Sequence, residues 1–474
     1  MKKKPFRISL FTVAMINVAA IMSLKNLPVQ SVYGLSFIFY LILACLLFFL
    51  PTALVSAELA TGWPKTGGVY IWVREALGEK WGFMAIWLQW IENVIWYPTT
   101  LAFVAGTVAY LFNPELAHNK IFTLLVVLIS FWGLTFLNFL GMKTSGWASS
   151  VGVIAGTIIP GSLIILLGIW WIGSGNPLQI DLTPKNILPD FTQLSSLVLL
   201  VGMILGLAGM EMSAVHAGEV QNPQKDYPKA ILIAVIIIIA LSLLGALSIA
   251  VVVPAKNISL VAGVMEAFSV FFQAYHLNWI TPLIAAMIAV GALSSISTWI
   301  VGPSKGLMMT ARHGDLPPIF QKVNSRGMPI NLLYFQAILV TALSLVFLLM
   351  PTISSSYWIL TALTAQLYLL MYLLMFLSSI VLRYKKPNVS RSFRIAGGKN
   401  IGMWIVAGLG IVGCVFGILI GFIPPDQLST GSLVFYELFL GGGMLLMCVF
   451  PWIVELFRTK TWISLEKSKQ DKNS

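Results

Sequence analysis

The sequence predicts an all-α integral membrane protein with about twelve transmembrane helices. Of its 474 residues, 58% are hydrophobic and only 10% are charged, whereas an average soluble domain has about 45–50% and about 25%. The apolar residues fall in stretches of about 20, the length that crosses about 30 Å of hydrocarbon. No polar linker or low-complexity stretch divides the chain, so we expect a single membrane domain over residues 1–474.

The apolar stretches define the expected helices, numbered here as spans one to twelve. They cover approximately residues 8–27, 33–57, 82–112, 121–140, 149–174, 195–215, 229–254, 279–303, 330–350, 357–382, 401–423 and 432–457. The membrane core would therefore run over residues 8–457 and leave a tail at 458–474. The N-terminal stretch has no small-residue cleavage site followed by a soluble domain, so we interpret it as span one rather than a signal peptide.

The positive charge of the chain indicates its topology rather than a nucleic-acid partner. The formal net charge is +12, but the basic residues lie in short gaps between apolar stretches. With the N-terminus in the cytoplasm, most of the 29 Lys and Arg fall on the cytoplasmic side, as the positive-inside rule requires. We expect a bacterial inner (plasma) membrane protein with both termini in the cytoplasm. Three further segments are predicted as non-spanning helices: 66–80 and 304–313 at the cytoplasmic interface, and 261–275 on the outer side.

No pattern in the sequence predicts a metal site, a disulfide or an enzyme. The three cysteines, Cys45, Cys414 and Cys448, each lie inside an apolar stretch, where they are expected to act as small hydrophobic residues. No pair of histidines has metal-ligand spacing, and no nucleophile elbow, phosphate loop or catalytic triad is recognisable. We expect no metal, no cofactor and no enzymatic activity.

Span six contains an expected weak point. Gly202, Gly206 and Gly209 precede Glu211, and each glycine costs a helix about 0.5–1 kcal/mol relative to alanine. An unwound stretch exposes backbone groups that transporters use to hold the charged ends of a substrate. The alternative is that these small residues allow close helix packing.

Span one is the counterpart that a transporter would need. Its polar end stops at Pro28, and a break is expected around Ile21, Met22, Ser23 and Lys25. Spans one and six would then begin the two halves of an inverted five-plus-five repeat, at about 8–174 and about 195–382. Two extra helices would follow at about 401–457. The sequence shows no obvious internal identity that would prove the repeat.

Ionisable residues inside apolar spans are candidates for function because their insertion costs about 2.5–3.5 kcal/mol. Glu92 and Glu211 are candidates for the transport path and for carrying a coupling proton, or alternatively are paired or protonated within the bundle. For Glu437, in the last span, we favour a structural or interface role. Lys25 is interpreted either as extending to the outer surface or as contacting substrate.

Span eight contains a polar run, Ser294, Ser295, Ser297 and Thr298, before Trp299. Ser294 and Thr298 are four residues apart and share a helix face, so they could line a polar path. Small residues in this run would equally allow tight helix packing.

Several motifs resemble a known family. The residues AELA at 57–60, Pro64, GGVY at 67–70, WV at 72–73 and ALG at 76–78 resemble the loop after span two of the amino acid/polyamine/organocation transporter superfamily. More specifically, EVQNPQKDYP at 219–228, AGVM at 262–265 and WIVGPS at 299–304 resemble the glutamate/γ-aminobutyrate antiporter family. The likeness extends from about Phe11 to Leu456.

The resemblance implies twelve spans, the inverted-repeat fold, alternating access, and exchange of an external amino acid for an internal one. It also implies that Glu211 and Trp299 lie near the substrate path. Two departures prevent transfer of the substrate or of acid dependence: the antiporter has an acidic residue where this chain has Ser295, and it has tyrosines in the segment matching 25–27. The antiporter is uncharged at the position of Glu92, which suggests that an acidic group has relocated. The antiporter's long C-terminal plug has no counterpart in the lysine-rich 458–474, so we expect no plug and no plug-dependent shut-off near neutral pH.

The leading hypothesis is therefore a secondary amino acid transporter that works as an exchanger. Spans one and six would hold the amino and carboxylate ends of the substrate, and spans three, eight and ten would select the side chain. The predicted substrate-binding residues are Ile21, Met22, Ser23, Lys25, Gly206, Gly209, Glu211, Ser295, Trp299, Tyr368 and Tyr372. The alternatives are proton- or sodium-coupled uptake, with Glu92 or Glu211 carrying the proton, and an amino acid sensor. The expected partners are small amino acids and the lipid bilayer, and the sequence leaves monomer and homodimer open.

Overall fold

A computed structural model describes residues 9–64, 67–140, 152, 154–189, 197–212, 223–426 and 428–462. Within these residues the chain is helical and contains no β-strand, so the predicted all-α class is confirmed there. The helices are α1 (Leu10–Ile21), α2 (Leu27–Ser31), α3 (Phe37–Ala44), α4 (Leu50–Gly62), α5 (Val69–Leu77), α6 (Glu79–Ala109), α7 (Lys120–Phe139), α8 (Ile159–Gly173), α9 (Leu200–Gly206), α10 (Pro223–Ala250), α11 (Gly263–Ala274), α12 (Thr281–Arg312), α13 (Ile330–Ser344), α14 (Val346–Leu349), α15 (Ile353–Lys385), α16 (Ile401–Ile420) and α17 (Leu433–Leu456).

Nine helical segments of the described chain are long and apolar enough to cross a membrane. They contain α3 with α4, α7, α8, α10, α12, α13 with α14, α15, α16 and α17. Each coincides with a predicted span, and the remaining predicted spans are one, three and six. The protein is therefore a multi-pass membrane protein.

Span three is not among these nine segments because it is an internal helix. It forms the 31-residue α6, which is buried on nearly all sides. The polar side chains of Gln89, Glu92 and Asn93 lower its apolar character and are themselves buried. A helix buried all round is shielded from lipid by its neighbours, and α6 packs against α5, α7, α12 and α15.

Spans one and six are not among the nine segments of spanning length because both are interrupted at the predicted positions. The helix α1 ends at Ile21, Met22 and Ser23 are extended, and a 3₁₀ turn at Leu24–Asn26 leads into α2. In span six, α9 ends at Gly206, and Gly209 adopts a φ of +120°. Residues 213–222, which include the start of the 219–228 motif, lie outside the described part.

The prediction of a separate helix at 304–313 is wrong, because α12 continues without a break to Arg312. Pro303 removes only one backbone hydrogen bond, and Ser304 holds the following turn in the bundle. The Ser304 hydroxyl donates to Gln336 Oε1 at 3.1 Å and accepts from Trp90 Nε1 at 3.4 Å. The other two non-spanning helices are present as α5 and α11, and the membrane side of each stays a prediction.

A buried ion pair joins the ends of α4 and α15. Arg383 donates from Nε to Glu58 Oε1 and from Nη2 to Glu58 Oε2, both at 2.6 Å. The backbone N–H of Ile395 adds a bond of 2.8 Å to Glu58 Oε2, and Arg391 Nε lies 3.4 Å from Glu58 Oε1. The side chains of Glu58 and Arg383 are only 1% and 2% exposed. One carboxylate therefore balances two arginines in the interior.

A second charged cluster joins the loop after α12 to the end of α17. Arg458 Nη2 lies 3.2 Å from Asp315 Oδ1. The other charged groups near Asp315 are Glu79, Glu455 and Arg74. Burial raises the pKa of Asp315 to about 6, although the charge of Arg458 opposes the shift. Asp315 is thus mostly ionised, and paired as a charge with Arg458, only above about pH 6.

This raised pKa predicts a pH-dependent stability difference. The ordinary pKa of Asp315 is 3.8, so between about pH 4 and about pH 6 the folded protein binds more protons than the unfolded chain, and the stability contributed by Asp315 falls as pH rises. Asp315→Asn, which cannot ionise, is expected to unfold at a higher temperature than the wild type at neutral pH and at a similar temperature near pH 4. Thermal unfolding across this range measures the difference, and a difference independent of pH would contradict the raised pKa.

The expected absence of a C-terminal plug concerns residues 458–474, of which 463–474 lie outside the described part. The portion that is described lies against the loop after α12. Gln321 Nε2 donates to the carbonyl oxygen of Trp462 at 2.6 Å. The absence of a plug stays a prediction.

Candidate substrate site

A cavity of about 50 Å³ lies where the two interrupted helices meet α6, α12 and α15. Its lining consists of Ala20, Ile21, Met22, Ser23, Lys25 and Asn26 from span one, Leu205, Gly206 and Ala208 from span six, Glu92, Asn93 and Trp96 from α6, Ser295 and Trp299 from α12, and Tyr368 from α15. This volume has room for a few water molecules. Entry of an amino acid therefore requires the walls to move apart.

The predicted substrate residues fall into two layers. Most of them line the cavity: Ile21, Met22, Ser23, Lys25, Gly206, Ser295, Trp299 and Tyr368, together with the proton-coupling candidate Glu92. Gly209, Glu211 and Tyr372 form the layer behind Tyr368. There the hydroxyl oxygen of Tyr372 accepts a hydrogen bond of 2.8 Å from the Gly209 N–H.

Glu211 is the centre of the second layer and is 2% exposed. Tyr368 donates its hydroxyl proton to Oε1, and Tyr372 donates to Oε2. Gln89 Nε2 of α6 donates to Oε1 at 3.3 Å. Hydrogen bonds at both oxygens favour the ionised form of a carboxylate, whereas burial opposes it. The network connects the interruption of span six to α6 and α15.

Gly209 permits this arrangement. Its φ of +120° is a conformation that residues with a side chain rarely adopt, and an added Cβ would lie 3.4 Å from Ile21 Cγ1. The glycine therefore allows the turn that aims its N–H at Tyr372 and brings the two interruptions together.

We expect Gly209→Ala to lower amino acid transport by about tenfold or more, because a strained backbone costs about 1–3 kcal/mol. The matched control is Gly408→Ala in α16, where an added Cβ meets no atom within 4 Å. Initial rates in proteoliposomes test both. Equal rates for Gly209→Ala and Gly408→Ala would show that the turn at Gly209 is not needed.

Lys25 lies inside the bundle, so the interpretation that it extends to the outer surface is wrong. Its side chain is 3% exposed, and its ammonium donates to the hydroxyls of Thr99 at 3.1 Å and Thr100 at 2.9 Å. The nitrogen also lies 4.5 Å from the ring centre of Trp96. The 3₁₀ turn at Leu24–Asn26 places Lys25 towards α6 rather than along the axis of span one.

Glu92 lies in the cavity wall, accepts a hydrogen bond from Asn93, and is within electrostatic range of Lys25 and Glu211. Outside the cavity, Glu437 lies on an exposed face of α17. The structural or interface role expected for Glu437 stays a prediction.

The polar run of α12 contributes fewer residues to the cavity wall than the sequence suggested. Ser295 lines the cavity, whereas the hydroxyl of Ser294 donates to the carbonyl of Val290 at 2.8 Å. The side chain of Thr298 is outside the described part. Trp299 is positioned by Tyr97, whose hydroxyl donates to its carbonyl oxygen at 2.8 Å.

Part of the cavity wall was not predicted from the sequence. Asn93 and Trp96 line the cavity beside Glu92, and Asn26 lies beside Lys25. Residues three and four apart share a helix face, so Trp96, four residues after Glu92 on α6, could have been found from its spacing. Among the described residues, no group of three or more His, Cys, Asp or Glu is placed to hold a metal ion.

An all-helical membrane protein with two interrupted helices around a buried polar cavity has the architecture of a secondary transporter. The chain belongs to the amino acid permease family, whose model matches residues 8–445, within the amino acid/polyamine/organocation superfamily. The resemblance inferred from the motifs is thereby confirmed.

Three relatives illustrate the range of the family. An uncharacterized transporter of Legionella pneumophila is 47% identical over 94% of this chain and 96% of its own length. A glutamate/γ-aminobutyrate antiporter of Lactococcus lactis is 35% identical over 94% and 90%. A probable agmatine/putrescine antiporter of Lactococcus lactis is 27% identical over 79% of each chain.

Proposed function

We propose that the protein is a secondary active transporter that exchanges amino acids across a bacterial inner membrane by alternating access. The observation that carries this proposal is the cavity between the interruptions of spans one and six. The relative described as a glutamate/γ-aminobutyrate antiporter supports exchange.

The interrupted helices supply the groups that would hold a zwitterion. The last carbonyls of a helix carry partial negative charge. Those at the ends of α1 and α9, where both helices line the cavity, would hold the α-ammonium of the substrate. The N–H groups that begin the turn at Leu24–Asn26 face the α-carboxylate. Glu211 and its tyrosine partners hold span six in this shape, and the tyrosines connect it to α15.

The proposed topology has twelve spans with both termini in the cytoplasm. The first repeat covers about residues 8–174, the second about 195–382, and two extra helices occupy about 401–457. The interruption of the first helix in each half supports this arrangement. The functional unit is a monomer or a homodimer.

Proton-coupled uptake is the second candidate, because Glu92 is a buried carboxyl in the cavity wall. Counterflow distinguishes the two functions. Proteoliposomes are loaded with unlabelled amino acid, or left empty with an inward proton gradient, and a panel of labelled amino acids is added outside. Exchange predicts accumulation only in loaded vesicles, whereas coupled uptake predicts accumulation in empty vesicles that a protonophore abolishes.

A further inference from the structure

We propose that Lys25 and Glu92 select substrates by net charge, so that the transporter prefers amino acids with a polar, uncharged side chain such as an amide. This inference rests on the proposed transport function and adds a substrate class to it. Both residues line the cavity, and they lie within electrostatic range of each other.

Lys25 is held so that it can bind a ligand. Its ammonium has three N–H donors, and Thr99 and Thr100 accept two of them at 3.1 Å and 2.9 Å. Trp96 covers the cation at 4.5 Å from its ring centre. Among the described residues the third N–H has no hydrogen-bond acceptor, and the side chain borders the cavity. The ammonium can thus donate to an oxygen of the substrate side chain.

Glu92 supplies the opposite charge on the same wall. It is 2% exposed and borders the cavity beside Asn93. A carboxylate accepts hydrogen bonds and an ammonium donates them. An amide side chain fits both, because its carbonyl oxygen accepts from Lys25 while its N–H₂ donates to Glu92.

The charges of the wall decide between substrates. Lys25 and Glu92 sum to zero, and so do the α-ammonium and α-carboxylate of any amino acid. A carboxylate or guanidinium side chain would therefore leave one unbalanced charge in a medium where such a charge is costly. Glu211 lies behind Tyr368 and receives hydrogen bonds from Tyr368, Tyr372 and Gln89, so these donors, rather than the substrate, compensate its carboxylate.

Four proteins test the charge rule: the wild type, Glu92→Gln, Lys25→Met, and the double variant. Counterflow is measured with glutamine, glutamate and arginine competing. The wild type is expected to prefer glutamine. Glu92→Gln, with one net positive charge, should favour glutamate, and Lys25→Met, with one net negative charge, should favour arginine. The double variant should prefer glutamine again. Each change of preference is expected to be about tenfold or more, which corresponds to about 1.4 kcal/mol.

Unchanged relative preferences in the four proteins would overturn the inference, as would a wild type that prefers glutamate or arginine to glutamine. Exchange would still be present in that case, so the proposed function would stand. A wild type that exchanges no amino acid at all would overturn both. If one single variant fails to fold, the other still tests the charge rule, because each is expected to shift the preference in the opposite direction. Lys256→Met, at an exposed lysine, is the control and should keep the wild-type preference.

Discussion

Replacing Glu211 with glutamine is expected to reduce amino acid exchange by about a hundredfold or more while leaving the protein folded, because hydrogen bonds to a charged group contribute about 1.5–3 kcal/mol each. Tyr368 and Tyr372 donate to the two carboxylate oxygens of Glu211. A glutamine keeps one acceptor oxygen and places an N–H₂ group against the other tyrosine. The shape of span six beside the cavity would be lost.

The matched control for this variant is Glu437→Gln. Glu437 also lies in a long apolar helix, but on an exposed face. Initial exchange rates, with purification profiles to verify folding, are expected to fall for Glu211→Gln alone. Equal rates for the two variants would remove Glu211 from the transport path.

Glu58→Gln is expected to have the largest effect on stability, a loss of about 3–5 kcal/mol, because removing one partner leaves buried charge uncompensated. Arg383 makes two bonds of 2.6 Å to Glu58, and Arg391 lies 3.4 Å away. Neutralising the carboxylate leaves both guanidinium groups buried without an anion. Thermal unfolding in detergent should shift to lower temperature.

The control for the buried pair is Glu75→Gln. Glu75 lies 4.0 Å from Lys386, and the two side chains are 34% and 50% exposed. Exposed ion pairs contribute about 0–1 kcal/mol, so this variant should unfold close to the wild-type temperature. If Glu58→Gln unfolds at the same temperature as Glu75→Gln, the buried pair does not stabilise the fold.

The helices could be predicted because lipid makes length and composition decisive. Nine predicted spans match apolar helices of spanning length in the described chain, and the interruptions of spans one and six were predicted from glycines and polar residues. The error at 304–313 has a different origin. Pro303 suggests a helix end locally, but tertiary contacts of Ser304 keep α12 continuous.

The site could be predicted only in part, because its contacts join residues far apart in the chain. Ile21, Gly206 and Trp299 could be proposed from local pattern and resemblance. The direction of the Lys25 side chain could not be predicted, since it depends on the turn after the break and on Thr99 and Thr100 of α6. The pairing of Glu58 with Arg383 could not be predicted either, because the two residues are 325 positions apart in the sequence.

The central claim is that the cavity between the interrupted helices opens to each side of the membrane in turn and holds the substrate. Ser295→Cys, made after replacing Cys45, Cys414 and Cys448 with alanine, places one thiol in the cavity wall. An impermeant thiol reagent should react with it from outside and, separately, from inside, and an exchanged amino acid should slow both reactions. Reaction from one side only, or rates unaffected by any exchanged amino acid, would contradict the account.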